Sequence, residues 1–151
     1  MSEKSIWSQL KRILVVVHYT SVDEVKEYRN AIKKEGLNIN DCEIIAWVAS
    51  KKEKAALGEL SSVTYFTTSD INFFGKAKDA GLKKVLGGSF DALFFVGDFS
   101  NKVLKVLNPL KEPLRIGINS GVKNCTIYIN SLTSTPEHLI NFAKQTLEKT
   151  T

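Results

Sequence analysis

The sequence predicts an α/β fold: a three-layer, Rossmann-like domain in which helices cover both faces of a mostly parallel sheet of five to six strands. The first observation is that short apolar runs alternate with amphipathic segments along all 151 residues, which is typical of parallel strands joined by helical crossovers. The second is the continuous run Ile-Leu-Val-Val-Val at 13–17, because a strand without polar alternation is buried on both faces. The length and the 43% hydrophobic content fit a single domain spanning 1–151.

The first strand and the helix that follows it show the pattern most clearly. Ser21 and Glu24 have the spacing of a capping box, in which the serine accepts from a free helix N–H and the glutamate reaches back. Apolar residues then recur at helical spacing as far as Gly36, which we expect to end this helix in a left-handed conformation. Within 1–10 we expect a short helix that packs on the domain.

The rest of the chain continues the alternation. Further strands are predicted at 43–49, 63–67, 92–96, 114–118 and 126–129, and further helices at 51–60, 77–86, 100–107 and from 136 onward. The helix at 51–60 is expected to turn Ala55, Ala56 and Leu60 inward. The first and fourth strands are the most uniformly apolar, so we place them centrally and predict the strand order 3-2-1-4-5, with the sixth strand at the edge.

The composition indicates in which compartment the protein is found and which classes of partner it binds. The sequence has no run of the roughly 20 apolar residues that a membrane helix requires, and no signal-peptide core follows its polar start. Its two cysteines are too few for a disulfide framework. We therefore predict a cytoplasmic protein that does not use the membrane. The 21 basic residues exceed the 16 acidic ones, but acidic side chains lie close to the lysine pairs, so a nucleic-acid partner is not favoured.

Polar residues that follow the central strands form the predicted ligand site. In open parallel sheets, ligands bind beyond the carboxyl ends of the strands where the strand order reverses, which here lies between the first and fourth strands. Two helix N-termini would point there, and their free N–H groups favour anions. The predicted ligand-binding residues are His18, Thr20, Ser21, Asp98, Ser100, Asn101 and Asn119. Some also have structural interpretations: Ser21 and Asp98 as helix caps, and His18 as a packed residue.

One loop is unusual for its aromatic content. The segment 72–76, Asn-Phe-Phe-Gly-Lys, places Phe73 and Phe74 side by side in an otherwise polar stretch. If the rings are exposed, these residues and Lys76 form an interaction surface. If one or both rings fill the core beneath the loop, the segment is structural, and the sequence leaves this choice open.

Complete catalytic and cofactor motifs are absent from the sequence. It contains no Gly-x-Gly-x-x-Gly dinucleotide loop, no Gly-Lys-Ser/Thr phosphate loop and no Gly-x-Ser-x-Gly elbow. The histidines and cysteines lie too far apart in the sequence for a local zinc site. A nucleophilic pair would require His18 or His138 to meet Cys42 or Cys125 in space. We therefore predict no catalytic residue, no metal site and no cofactor.

Two stretches are similar to a known enzyme family. Phe-Asp-Ala-Leu-Phe-Phe-Val-Gly-Asp at 90–98, followed by a helix and by Leu-Arg-Ile-Gly-Ile at 114–118, resembles the first domain of the heptosyltransferases of glycosyltransferase family nine. The resemblance extends to 13–23, where Asp23 takes the position of the family's catalytic base, although Val22 stands where the family has glycine. The whole chain also resembles a family of uncharacterised small bacterial α/β proteins with a similar aromatic-Gly-Lys segment.

These observations favour a non-catalytic, cytoplasmic binding module for a partner protein or a small anionic ligand, and they leave a homodimer open. The alternative, which the resemblance implies, is a glycosyltransferase-like enzyme or half-enzyme with Asp23 or Asp98 as its base. In those enzymes a second α/β domain binds the sugar nucleotide, and 151 residues do not include it. Another chain would have to supply that domain.

Overall fold

The computed structural model describes residues 4–110, 113–133 and 135–151, and within them the strands form one six-stranded sheet. The strands are β1 (Arg12–His18), β2 (Asp41–Trp47), β3 (Val63–Phe66), β4 (Ala92–Val96), β5 (Leu114–Ile118) and β6 (Ile127–Ile129). Every neighbouring pair is parallel, and the order across the sheet is β3-β2-β1-β4-β5-β6. The predicted Rossmann-like architecture and strand order are therefore confirmed.

Helices connect most of the strands. They are α1 (Ile6–Gln9), α2 (Val22–Glu35), α3 (Lys51–Ala55), a short 3-10 helix (Thr68–Asp70), α4 (Ala80–Leu86), α5 (Asn101–Val106) and α6 (Pro136–Glu148). Among the described residues, no helix has the length and apolar character needed to cross a membrane.

The sheet separates two apolar layers. On one face, Val15 and Val17 pack in a cluster that includes residues of α1, α2 and α6. On the other face, Val16 packs in a cluster with residues of α4 and α5. Residues 13–17 of β1 are all buried, as expected for a central strand covered on both sides. This arrangement directs the carboxyl ends of all six strands to one edge of the molecule.

Several element bounds differ from the sequence predictions for physical reasons. The helix predicted at 51–60 ends at Ala55, because Gly58 follows closely and glycine disfavours helix, and Ala55 and Ala56 are exposed. Gly36 ends α2 with φ −101°, so its conformation is not the left-handed one expected. β2 begins at Asp41, because its pairing with β1 starts opposite Arg12, and the sequence does not reveal this register.

A carboxylate fastens the amino ends of the central strands. Asp91, just before β4, accepts hydrogen bonds from the N–H groups of Arg12 at 2.9 Å and Lys11 at 2.8 Å. These two bonds favour the charged carboxylate, so the pKa of Asp91 lies below its ordinary value. The N–H of Asp91 in turn donates to the carbonyl oxygen of Arg12. The start of β4 is thereby held against the start of β1.

We expect the contribution of Asp91 to stability to depend on pH. Because its folded-state pKa is lowered, the stabilisation is present above the ordinary carboxyl pKa and is lost as the pH falls through the folded-state pKa. Asp91→Asn should lower the free energy of unfolding by about 1 kcal/mol at neutral pH, and this difference should vanish in acid. Urea unfolding across the acidic range measures it, with the exposed loop variant Glu59→Gln as control. A difference that does not change with pH would contradict the assignment.

Candidate functional site

The imidazole of His18 lies where the strand order reverses. His18 ends β1, and its Nε2 lies 2.5 Å from the carbonyl oxygen of Asp98. A carbonyl oxygen only accepts, so Nε2 carries the proton. The ring stacks on Phe99, with ring centres 4.4 Å apart, and meets Trp47 edge to face at 5.7 Å. His18 is therefore a packed residue of the crevice between β1 and β4.

The turn after β4 depends on a glycine and a carboxylate. Gly97 has φ +87°, a conformation that residues with a side chain rarely adopt, and its N–H donates to the carbonyl oxygen of Ile118 at 3.0 Å. The carboxylate of Asp98 accepts from the N–H of Gly121. Asp98 is not the N-cap of the following helix, because Ser100 has that position. Its side chain instead joins the loop after β4 to the loop after β5.

Two predicted ligand-binding serines are engaged in helix capping. The hydroxyl oxygen of Ser21 accepts from the N–H of Glu24 at 3.1 Å, at the start of α2. That of Ser100 accepts from the N–H of Val103 at 3.4 Å, at the start of α5. Thr20 is exposed in the turn between β1 and α2. None of these three residues lines the cleft described next.

The two predicted asparagines lie at the start of α5 and in the loop after β5. Asn119 follows β5 with φ +48°, and its side-chain oxygen accepts from the N–H of Ser131 at 2.7 Å. This bond ties the loop after β5 to the loop after β6. Asn101 is the first residue of α5 and lines the cleft together with Asp98. The structure thus brings two of the seven predicted ligand-binding residues to one cavity.

The cavity, which we call the Arg115 cleft, lies beside the crevice and has a volume of about 850 Å3. One wall is a face of α5 with Asn101, Leu104, Lys105 and, just beyond the helix, Asn108. Residues 121–124, in the connection from β5 to β6, form the opposite wall. The volume lies in the range of small-molecule sites.

Arg115 supplies a positively charged guanidinium group to the cleft. It belongs to β5, and its guanidinium lies over the ring of Phe95, 5.0 Å from the ring centre. Its Nε is buried and has no hydrogen-bond partner among the described residues. A ligand in the cleft can reach only the exposed part of this guanidinium, and accepting from its terminal N–H groups would give charge-assisted hydrogen bonds.

The charges that line the cleft are mostly positive. Lys105 on α5 and Lys123 on the opposite wall accompany Arg115, and both lysines are exposed. Among the described lining residues, Asp98 supplies the one carboxylate, and Gly121 donates to it. The arrangement therefore favours a small anion, because guanidinium and ammonium groups recognise carboxylate and phosphate.

Neither cysteine has the character of a nucleophile. Burial raises the pKa of the Cys42 thiol to about 12. Burial also raises the pKa of Cys125, although the nearby Arg115 charge opposes the shift. Both thiols are therefore kept protonated, and the thiolate is the reactive form. In the described ranges, His, Cys, Asp and Glu side chains nowhere gather in threes as a metal site would need.

The structure decides between the two interpretations of the aromatic loop. Phe73 and Phe74 are 94% and 71% exposed, so neither ring fills the core, and Lys76 is also exposed. Residues 71 and 77 form an antiparallel bridge, so we call residues 71–77 the aromatic finger. Its anchor is Ile71, which belongs to the same buried cluster as α4 and α5.

Asp23, the base position implied by the heptosyltransferase resemblance, lies in the first turn of α2. Its side chain belongs to an exposed residue, and it does not line the Arg115 cleft. An acidic residue in a first helical turn stabilises the helix through its dipole.

Sequence reasoning did not select the basic residues of the cleft. Arg115 carries a signal that could have identified it, because it is a charged residue within the otherwise apolar strand Leu-Arg-Ile-Gly-Ile. Such a residue in a strand expected to be covered on both faces needs a partner or an opening. Lys105 and Lys123 carry no comparable signal, since they resemble other surface lysines.

A Rossmann-like α/β domain with a basic side cleft is the class that this fold and site define. The chain belongs to the family of unknown function DUF6913, which it matches over residues 1–148. No curated protein and no solved structure matches it. The family membership agrees with the resemblance to an uncharacterised protein family.

We expect Gly97→Ala to destabilise the fold by about 1–2 kcal/mol, because alanine disfavours positive φ. A Cβ on Gly97 would lie 3.4 Å from His18 Cδ2, so backbone conformation contributes more than collision. Gly58→Ala is the matched control, since nothing lies within 4 Å of its added Cβ, and it should change stability little. Urea unfolding measures both variants. Equal effects would show that the turn after β4 does not depend on the glycine.

Proposed function

We propose that the chain is a non-catalytic, cytoplasmic binding module that holds a small anionic ligand in the Arg115 cleft. The observation that carries the proposal is that Arg115 lines the cleft and, among the described residues, has no carboxylate oxygen within 4.0 Å of its guanidinium. Lys105 and Lys123 add positive charge from the two walls.

The planar guanidinium narrows the ligand class. It presents paired N–H donors that match a phosphate or carboxylate group, whereas a lysine acts as a point charge. Phe95 holds Arg115 from one side, so less conformational freedom is lost when a ligand binds. Amide side chains of Asn101, Asn108 and Asn124 add neutral donors and acceptors along the cleft. We infer a small phosphorylated or polycarboxylate compound.

The non-catalytic assignment is motivated by the sequence, which contains no complete catalytic motif. The Asp98 carboxylate accepts from Gly121, and the Nε2 of His18 is engaged with the Asp98 carbonyl. The glycosyltransferase-like alternative would use Asp98, which lines the cleft, or Asp23. It predicts turnover of an activated sugar donor that Asp23→Asn or Asp98→Asn abolishes without changing thermal stability.

Arg115→Gln should weaken binding of a phosphate-bearing probe by about tenfold or more, because charge-assisted hydrogen bonds are lost. Isothermal titration with inorganic phosphate, pyrophosphate, a nucleoside diphosphate and citrate measures the affinity. The matched control is Arg12→Gln. Arg12 also lies over a phenylalanine ring, at 5.6 Å, but it belongs to the start of β1 and pairs with Asp41.

The control separates a binding role of Arg115 from a packing role. If Arg115 only packs on Phe95, both arginine variants should lower stability and neither should alter probe binding. If no probe binds the unaltered protein, or if Arg12→Gln weakens binding as much as Arg115→Gln, the proposal is wrong. Turnover of sugar nucleotides by the unaltered protein would instead favour the transferase-like alternative.

A further inference from the structure

The aromatic finger is a rigid support for two exposed rings. The side-chain oxygen of Asn72 accepts from the N–H groups of Phe74 and Lys76, both at 2.9 Å. The backbone N–H of Asn72 donates to the carbonyl oxygen of Lys76 at 2.7 Å, and the N–H of Gly75 donates back to Asn72 at 3.0 Å. Phe73 and Phe74 meet edge to face with ring centres 5.6 Å apart. The finger therefore holds its tip in one conformation.

A glycine lets the tip lie against the body of the domain. Gly75 has φ +79°, and an added Cβ would lie only 2.6 Å from Lys105 Cδ. The aliphatic part of Lys105 on α5 thus covers the backbone of the tip, while the two phenylalanine rings remain outside. Exposed aromatic rings on a supported loop are costly in water and mark an interaction site.

The base of the finger is fixed by an ion-pair cluster. Lys54 Nζ lies 2.7 Å from a carboxylate oxygen of Asp70 and 3.4 Å from one of Asp79. Asp70 also accepts from the N–H of Thr67 at 2.8 Å. Burial of Asp70 opposes ionisation, but the bonds from Lys54 and Thr67 outweigh it and lower its pKa. The carboxylates at the base are therefore already paired with Lys54.

Lysines surround the tip without such partners. Lys76 follows Phe74 after the intervening Gly75, and Lys105 lies against Gly75. Lys102 precedes Lys105 by one helical turn on α5. In the part of the chain that the structure describes, none of the three lies within 4.0 Å of a carboxylate oxygen. The tip thus combines two exposed apolar rings with neighbouring positively charged side chains.

We propose that the aromatic finger docks on the surface of an anionic lipid bilayer, with Phe73 and Phe74 inserted at headgroup depth and the neighbouring lysines against lipid phosphates. This interaction goes beyond the proposed ligand binding and does not require the Arg115 cleft. It requires no spanning helix, and it departs from the sequence-based expectation that the protein does not use the membrane, because that expectation considered only segments that cross the bilayer. Proteins bind reversibly to anionic membranes when apolar side chains insert into the interface and basic side chains contact the lipid headgroups.

The shape of the tip favours a lipid surface over a protein partner. A stable protein interface buries about 800 Å2 on each partner, whereas here the apolar surface is two rings at the end of a narrow hairpin. The other large apolar residues that are exposed, Leu37, Tyr128, Leu132 and Phe142, belong to other elements. A second copy of the chain would bring the same positive charges together. A fluid, anionic surface accommodates both the narrow tip and its charges.

Co-sedimentation with vesicles tests the proposal. The unaltered protein should bind vesicles of mixed phosphatidylcholine and phosphatidylglycerol more tightly than vesicles of phosphatidylcholine alone. The double variant Phe73→Ser/Phe74→Ser should lower the partition coefficient by about a hundredfold, because two ring insertions are lost. Lys76→Gln/Lys102→Gln should lower it by roughly tenfold on the mixed vesicles and leave binding to phosphatidylcholine unchanged.

Matched controls make the outcomes decisive. Leu37→Ser removes an apolar side chain that is 93% exposed elsewhere, and it should leave vesicle binding unchanged. All variants should keep the thermal stability of the unaltered protein and its affinity for phosphate probes, so this test and that of the Arg115 cleft fail separately. Equal binding to both vesicle types, no binding, or an unchanged double phenylalanine variant would overturn the proposal. So would a dimer in light scattering that the double phenylalanine variant dissociates, because a second copy would then cover the finger.

Discussion

Burial of β1 on both faces is the constraint on which the rest of the structure depends. Its residues 13–17 are all buried, and apolar side chains pointing to both sides of one strand require a covering layer on each side. α2 and α6 supply part of one layer, and α4 and α5 supply the other. Because β1 lies between β2 and β4, the strand order reverses beside it. This places His18, at the end of β1, at the reversal point, where it packs between Phe99 and Trp47.

The Arg115 cleft is a consequence of the one connection that has no helix. In the described part of the chain, every crossover from β1 to β5 includes a helix, but β5 and β6 are joined by residues 119–126 without one. From this connection, Val122 is buried in the apolar layer beside α5, and Cys125 packs against that layer while partly buried. The face of β5 that carries Arg115 is therefore covered by a loop, and a cleft remains between that loop and α5. A charged side chain is tolerated there because the cleft is open to water.

Lys105 connects the two surfaces to which we assign functions. Its aliphatic part lies over Gly75 at the tip of the aromatic finger, and the same residue lines the Arg115 cleft. An amphipathic side chain serves both purposes, because its stem packs while its ammonium group stays in water. The Arg115 cleft and the aromatic finger therefore share Lys105, although each proposal rests on its own observations.

The sequence by itself determined the layered α/β fold, the strand order and most elements, because these follow from apolar runs, helical periodicity and capping residues such as Ser21. It also identified the unusual Phe73–Phe74 pair, but whether the rings are exposed depends on the hairpin that Asn72 and Gly75 build. Only the tertiary structure reveals the Arg115 cleft beside α5. The reason is physical: Arg115, Lys105 and Lys123 come from separate elements, and their convergence depends on how a loop without a helix packs against the sheet.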